Sequence, residues 1–111
     1  MKIDESISFL NQNKKEFLQK QIIHLIEKVD TLEYIVLFGS YARGEERATS
    51  DMDVMVVTQT EMNRLLRGEL CSQFDENNMD LIFYTLEQFK DSDCLLVQRV
   101  KKEGIVIWKK N

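Results

Sequence analysis

Four residues have the types and spacing to do chemistry together: Gly39 and Ser40, then, after ten intervening positions, Asp51 and Asp53. Gly39 permits close backbone approach. Ser40 and the amides after it would begin a helix, where unpaired N–H groups and the positive dipole end favour a phosphate. Asp51 and Asp53 stand two apart in an extended segment, so both side chains leave the same face of a strand and can grip a cation from one side. A phosphate cradle facing a carboxylate pair is what metal-assisted phosphoryl or nucleotidyl transfer requires. A lone Asp-x-Asp is usually a solvated turn; here a glycine-serine bend precedes it and an apolar strand follows it. Arg43, one turn into the short helix, can reach a triphosphate in bidentate fashion, and it reads equally well as a solvated surface arginine. Asp80 opens a further apolar run, and Asp75 and Glu76 compete with it as a third acid from a polar turn that no strand fixes.

The elements that must position these residues follow from hydrophobic periodicity. Ile3, Ile7, Leu10, Phe17, Leu18, Ile22, Leu25, Ile26 and Val29 recur at helical spacing. The polar patch Asn11 to Lys15 divides them into a short helix and a longer one capped by Asn13. Leu32 to Phe38 is almost wholly apolar, as in a central strand covered on both faces. Asp51 to Thr58 alternates, with Asp51, Asp53, Met55 and Val57 on one face and Met52, Val54 and Val56 on the other. Glu61 to Phe74 is an amphipathic helix burying Met62, Leu65, Leu66, Leu70 and Phe74. Asp80 to Tyr84 is a third strand. Glu87 to Glu103 is helical, with Leu95, Leu96, Val97 and Val100 apolar and a restart capped by Ser92 or Asp93. Gly104 ends it, and Ile105 to Trp108 is a short last strand or an apolar tail. Gly39-Ser40 closes the first strand and Asp51 opens the second, so placing both at one rim makes that pair antiparallel. Asp80 also opens its strand, so bringing it to the same rim makes the second and third strands parallel, with the helix between them as crossover. The fold class is therefore α/β (α+β): a mixed sheet of three to four strands with helices packed on it.

Composition narrows the function. With 111 residues, 43% hydrophobic and 31% charged, the chain fits one domain over 1–111. A net charge of -4 supplies no basic field, so direct nucleic-acid binding is not expected. Cys71 and Cys94 lack metal-ligand spacing, the start MKIDESISFL has neither a basic nor an apolar leader segment, and no run approaches a membrane span. Reduced thiols and a cytoplasmic location follow. His24, the single histidine, is a surface or core residue of the first helix, so histidine triads and zinc sites have little to draw on. Gly39 to Gly44 fits half of a P-loop, but Glu45 and Glu46 stand where lysine and serine or threonine are needed. An EF-hand fails at Met55 and at Val56, which replaces the required glycine.

The string Gly39-Ser40-Tyr41-Ala42-Arg43-Gly44 with Ser50-Asp51-Met52-Asp53-Val54 resembles the signature of the DNA polymerase beta-like nucleotidyltransferases, and more narrowly of their minimal (MNT) members. The resemblance implies the polymerase beta-like fold, with Asp80 as the third carboxylate. Asp51, Asp53 and Asp80 would hold Mg2+, two ions about 4 Å apart, while Gly39, Ser40 and Arg43 bind the phosphates of ATP. It further implies transfer of AMP to a tyrosine hydroxyl of a HEPN-domain ribonuclease toxin, the chain acting as antitoxin within a hetero-oligomer. Antibiotic-modifying relatives carry a further helical domain for which this length leaves no room, so a second protein is expected to complete the site or be its substrate. A reading of a different class is a non-catalytic antitoxin that inhibits by binding alone; an unused carboxylate cluster would be costly to it.

Overall fold

The computed structural model describes residues 10–47 and 50–110. In chain order the elements are α1 (Gln12–Lys28), β1 (Leu32–Phe38), α2 (Gly39–Arg43), β2 (Met52–Thr58), α3 (Arg64–Asp75), β3 (Met79–Thr85), α4 (Leu86–Asp91), α5 (Leu95–Glu103) and β4 (Ile105–Lys109). The four strands form one mixed sheet in the order β3-β2-β1-β4. β1 pairs antiparallel with β2 and with β4, and β2 pairs parallel with β3, with α3 between them in the chain. This is the topology that follows from asking all the polar strand ends to meet at one rim.

Strand alternation divides the core in two. Met52, Val54 and Val56 of β2 pack with Leu18, Ile22 and Leu25 of α1 and Leu70 and Phe74 of α3. On the opposite face Met55 and Val57 pack with Val36, Phe38 and Val100, and Phe89 and Leu96 lie against them. β1 and β2 are covered on both sides, which their apolar sequences demand. His24 lies on the first of these layers, its Nε2 3.2 Å from Gln73 Oε1, so it links α1 to α3.

Several local expectations are corrected. Asn11, not Asn13, caps α1: its side chain accepts from the Lys14 amide at 2.9 Å. α3 begins at Arg64, behind Asn63, which accepts from the amides of Leu65 and Leu66. The last helical region is two helices. Thr85 and Gln88 form a capping box at the first, and Cys94, not Ser92 or Asp93, is the N-cap of the second. Leu65 and Leu95, assigned to apolar stripes, are 85% and 74% exposed. Each lies in the first turn of its helix, where Leu66, Leu70 and Phe74, or Val97 and Val100, already cover the sheet. The short helix expected around Ile3 and Ile7 lies outside the described residues. Among those described, no helix is long and apolar enough to cross a membrane.

Candidate active site

The bend after β1 is built around Asp53. Phe38, the last residue of β1, is the cross-strand partner of Asp53, so the next residue must pass directly over that carboxylate. Gly39 does so with φ at +75°, a left-handed conformation open to glycine. A Cβ at this position would overlap the Asp53 carboxylate oxygen and lie 3.0 Å from its Cγ. The sequence places glycine here because both the backbone angle and the space require it.

Gly39 opens α2, and a second left-handed glycine, Gly44 at φ +71°, closes it. The Gly44 amide donates to the Tyr41 carbonyl and the Glu45 amide to the Ser40 carbonyl at 2.8 Å, the paired bonds of a Schellman end. Tyr41 anchors this short helix: it is buried, and its hydroxyl accepts from Lys14 Nζ of α1 at 2.7 Å. Ser40 is thereby held, half-buried, at the rim where β1 ends.

Asp53 and Asp80 are register partners across the parallel β2–β3 pair. Neighbouring strands run about 4.8 Å apart, so the two carboxylates leave the same face side by side. That face is the one carrying Met55 and Val57, toward α4 and α5. Asp51 immediately precedes β2 and is exposed, as is Asp80, whereas Asp53 is half-buried. The Met52 amide donates to the Asn78 carbonyl at 3.0 Å, which ties the approach to β2 to the approach to β3 and fixes the rim. Burial pushes the Asp53 carboxyl above its ordinary range, with repulsion from Asp80 and then from Asp51 adding to the effect, and Arg43 opposing it. Asp53 therefore feels both of the other acids at this edge, while Asp75 ends α3 and Glu76 follows it in the turn.

The donor set is three carboxylates, hard oxygen ligands of the kind a small divalent cation takes. Among the described residues no group of three or more acidic, histidine or cysteine side chains is placed so that it could hold a metal ion, so Asp51, Asp53 and Asp80 share a rim without forming a ready-made cation site. A cavity of about 620 Å³ lies elsewhere: Thr58, Tyr84, Thr85, Glu87 and Asp91 line it, at the far end of β2 and β3. Geometry, not cavity size, singles out the rim.

Arg43 lies at the end of α2, and two carboxylates hold it. Its Nε donates to Glu45 at 3.3 Å and its Nη1 to Glu103, the last residue of α5, at 3.1 Å. Sequence reading missed Glu103 and Lys14. An acid in the last turn of a helix, where the dipole disfavours it, was the one available signal for the first. The second carried none.

The sequence profile of the polymerase beta, nucleotidyltransferase family matches residues 20–111, a stretch that includes the bend and all three acids. The chain belongs to this family. It is 28% identical over 103 residues to the protein adenylyltransferase MntA of Shewanella oneidensis, an alignment covering 89% of this chain and 66% of MntA, just under two thirds of that relative's length. Among solved structures it resembles a toxin–antitoxin with AMP-PNP, at a TM-score of 0.64 and 25% identity over 84% of this chain and 74% of the other. A chain from the structure of a tri-AMPylated Shewanella oneidensis HEPN toxin in complex with MNT antitoxin shares the fold at a TM-score of 0.59 and 24% identity, over 86% of this chain and 72% of the other. The nucleotidyltransferase fold expected from the signature is thus the fold observed.

Proposed function

We propose that this chain is a single minimal nucleotidyltransferase domain that transfers AMP from ATP to a tyrosine hydroxyl of a partner HEPN ribonuclease toxin, and so acts as its antitoxin. The observation that carries the reading is the in-register Asp53–Asp80 pair with Gly39 lying across Asp53. The similarity to MntA and to the complex with AMP-PNP supports adenylyl transfer and a partner protein.

In this mechanism Gly39, Ser40 and Arg43 receive the triphosphate and set the α-phosphorus beside the acids. Asp51, Asp53 and Asp80 would hold Mg2+, two ions in all; the metal supplies charge neutralisation for the departing pyrophosphate and acidifies the acceptor hydroxyl. The acceptor oxygen attacks the α-phosphorus, the bond to pyrophosphate breaks, and the hydroxyl proton leaves to water. Until a cation arrives, burial and like charge raise the cost of ionising Asp53. The partner completes the acceptor side as part of a hetero-oligomer in the cytoplasm, and the acidic chain has no direct nucleic-acid role.

The test is to mix the purified pair with ATP and Mg2+ and read intact masses. An adenylyl increment on the partner, absent with Asp53→Ala, is expected. No increment, or an undiminished one in that variant, would overturn the reading. A triple Asp→Asn variant that still neutralises the toxin in cells would show inhibition by binding alone.

A further inference from the structure

Arg43 and its two carboxylates form the only ion pairs among the described residues, and they join α2 to an element far along the chain. Arg43 and Glu103 are 60 residues apart. Glu103 is held at its place by the turn that follows. The Gly104 amide donates to the Val100 carbonyl at 2.8 Å, and a Cβ on Gly104 would collide with that carbonyl oxygen and with the Val36 side chain of β1. The backbone that carries Glu103 is thus fixed relative to the strand that ends at the Gly39 bend. Helix stability does not explain an acid here, because the C-terminal end of α5 is the negative end of its dipole.

One cation and two anions leave this trio net negative beside the rim that takes a triphosphate. The pairs also occupy Nε and Nη1, one nitrogen on each of the guanidinium's two bidentate edges. A phosphate gripping either edge in the fork geometry arginine favours competes with a carboxylate already there. Glu45, 62% exposed, lies in the loop just after α2; Glu103, 31% exposed, is the more enclosed of the two and stands on a backbone anchored through Gly104.

We propose that Glu103 is a positioning residue: by holding Arg43, it sets how tightly the rim takes a nucleoside triphosphate. This rests on the nucleotidyltransferase reading. Loss of a residue with a purely structural role weakens binding or leaves it unchanged, whereas removing this carboxylate's charge tightens it.

The experiment titrates AMP-PNP with Mg2+ into the full chain by calorimetry, for the wild type, Glu103→Gln, Glu45→Gln, Arg43→Gln and the Arg43→Gln/Glu103→Gln double variant. Melting curves confirm that each variant is folded. Glu103→Gln is expected to bind about two- to five-fold more tightly, the range for a partly exposed charge pair, and the gain should shrink at high salt. Glu45→Gln should gain less. In the Arg43→Gln background the Glu103 substitution should change nothing. Unchanged or weaker binding by Glu103→Gln, or a gain that survives without Arg43, overturns the proposal while leaving the enzyme reading intact. No binding by the wild type overturns both.

Discussion

Two glycines with nearly the same backbone angle separate the cost of that angle from the cost of crowding Asp53. Gly39 and Gly44 have φ of +75° and +71°, but a Cβ at Gly44 meets nothing within 4 Å, whereas one at Gly39 meets the Asp53 carboxylate. Gly44→Ala therefore reports the left-handed conformation alone, about 1 to 2 kcal/mol. Gly39→Ala carries the same cost plus the displacement of a side chain whose Cγ and Cβ lie 3.0 and 3.2 Å from the new methyl. Crowding of that kind adds about 1 to 3 kcal/mol. Each kcal/mol is worth roughly 4–8 °C in a domain near this size, so Gly39→Ala should melt at least about 4 °C below Gly44→Ala in the same buffer. The functional difference should be larger. Moving Asp53 by about 1 Å costs on the order of a hundredfold in rate, so adenylyl transfer followed by intact mass should collapse in Gly39→Ala. Melting temperatures within about 2 °C of each other, or transfer by Gly39→Ala above a third of the wild-type rate, would refute the argument that the glycine exists to accommodate the carboxylate.

Asp53→Asn should raise the melting temperature at neutral pH. The folded state holds the Asp53 proton more readily than the unfolded chain does, so this group's contribution to stability is lost as pH rises from the ordinary carboxylate range through the raised value. The advantage of the variant should therefore vanish as pH falls toward 4, and a gain that persists there would contradict the stated cause. Asn63→Ala removes the acceptor of two amides at the start of α3 and should cost about 1 kcal/mol by thermal or urea melting. Hydrogen bonds from the Ser92 side chain, then from the Val97 amide and Tyr84, lower the exposed Cys94 thiol to about 7, while burial raises Cys71. Iodoacetamide at pH 7.5 should modify Cys94 well before Cys71, as peptide mapping would show, and equal rates would argue against this local environment.

The strand directions were legible because three polar strand ends could meet only in one way: Gly39 after β1, Asp51 before β2 and Asp80 near the start of β3. The buried faces were legible where alternation was strict, as in Met52 to Val57, whose two rows enter two separate cores. Helix starts were harder. Asn11 and Asn13 are both good caps, and only the backbone path decides which side chain meets a free amide. Periodicity assigned Leu65 and Leu95 to apolar stripes, yet a stripe does not say which of its members finds a neighbour across the sheet. The Arg43–Glu103 pair and the Lys14–Tyr41 bond join residues far apart in the chain, and no local pattern announces either.

Convergence of Asp51, Asp53 and Asp80 on one ligand is tested most directly by titrating Mg2+ and AMP-PNP into the three single Asp→Asn variants and the triple variant. If the three carboxylates act as one unit, each single change should weaken metal-dependent binding severely, and the triple change should cost far less than the three losses combined. Binding by Asp80→Asn indistinguishable from the wild type would contradict the account, because Asp80 would then be only a strand residue beside Asp53.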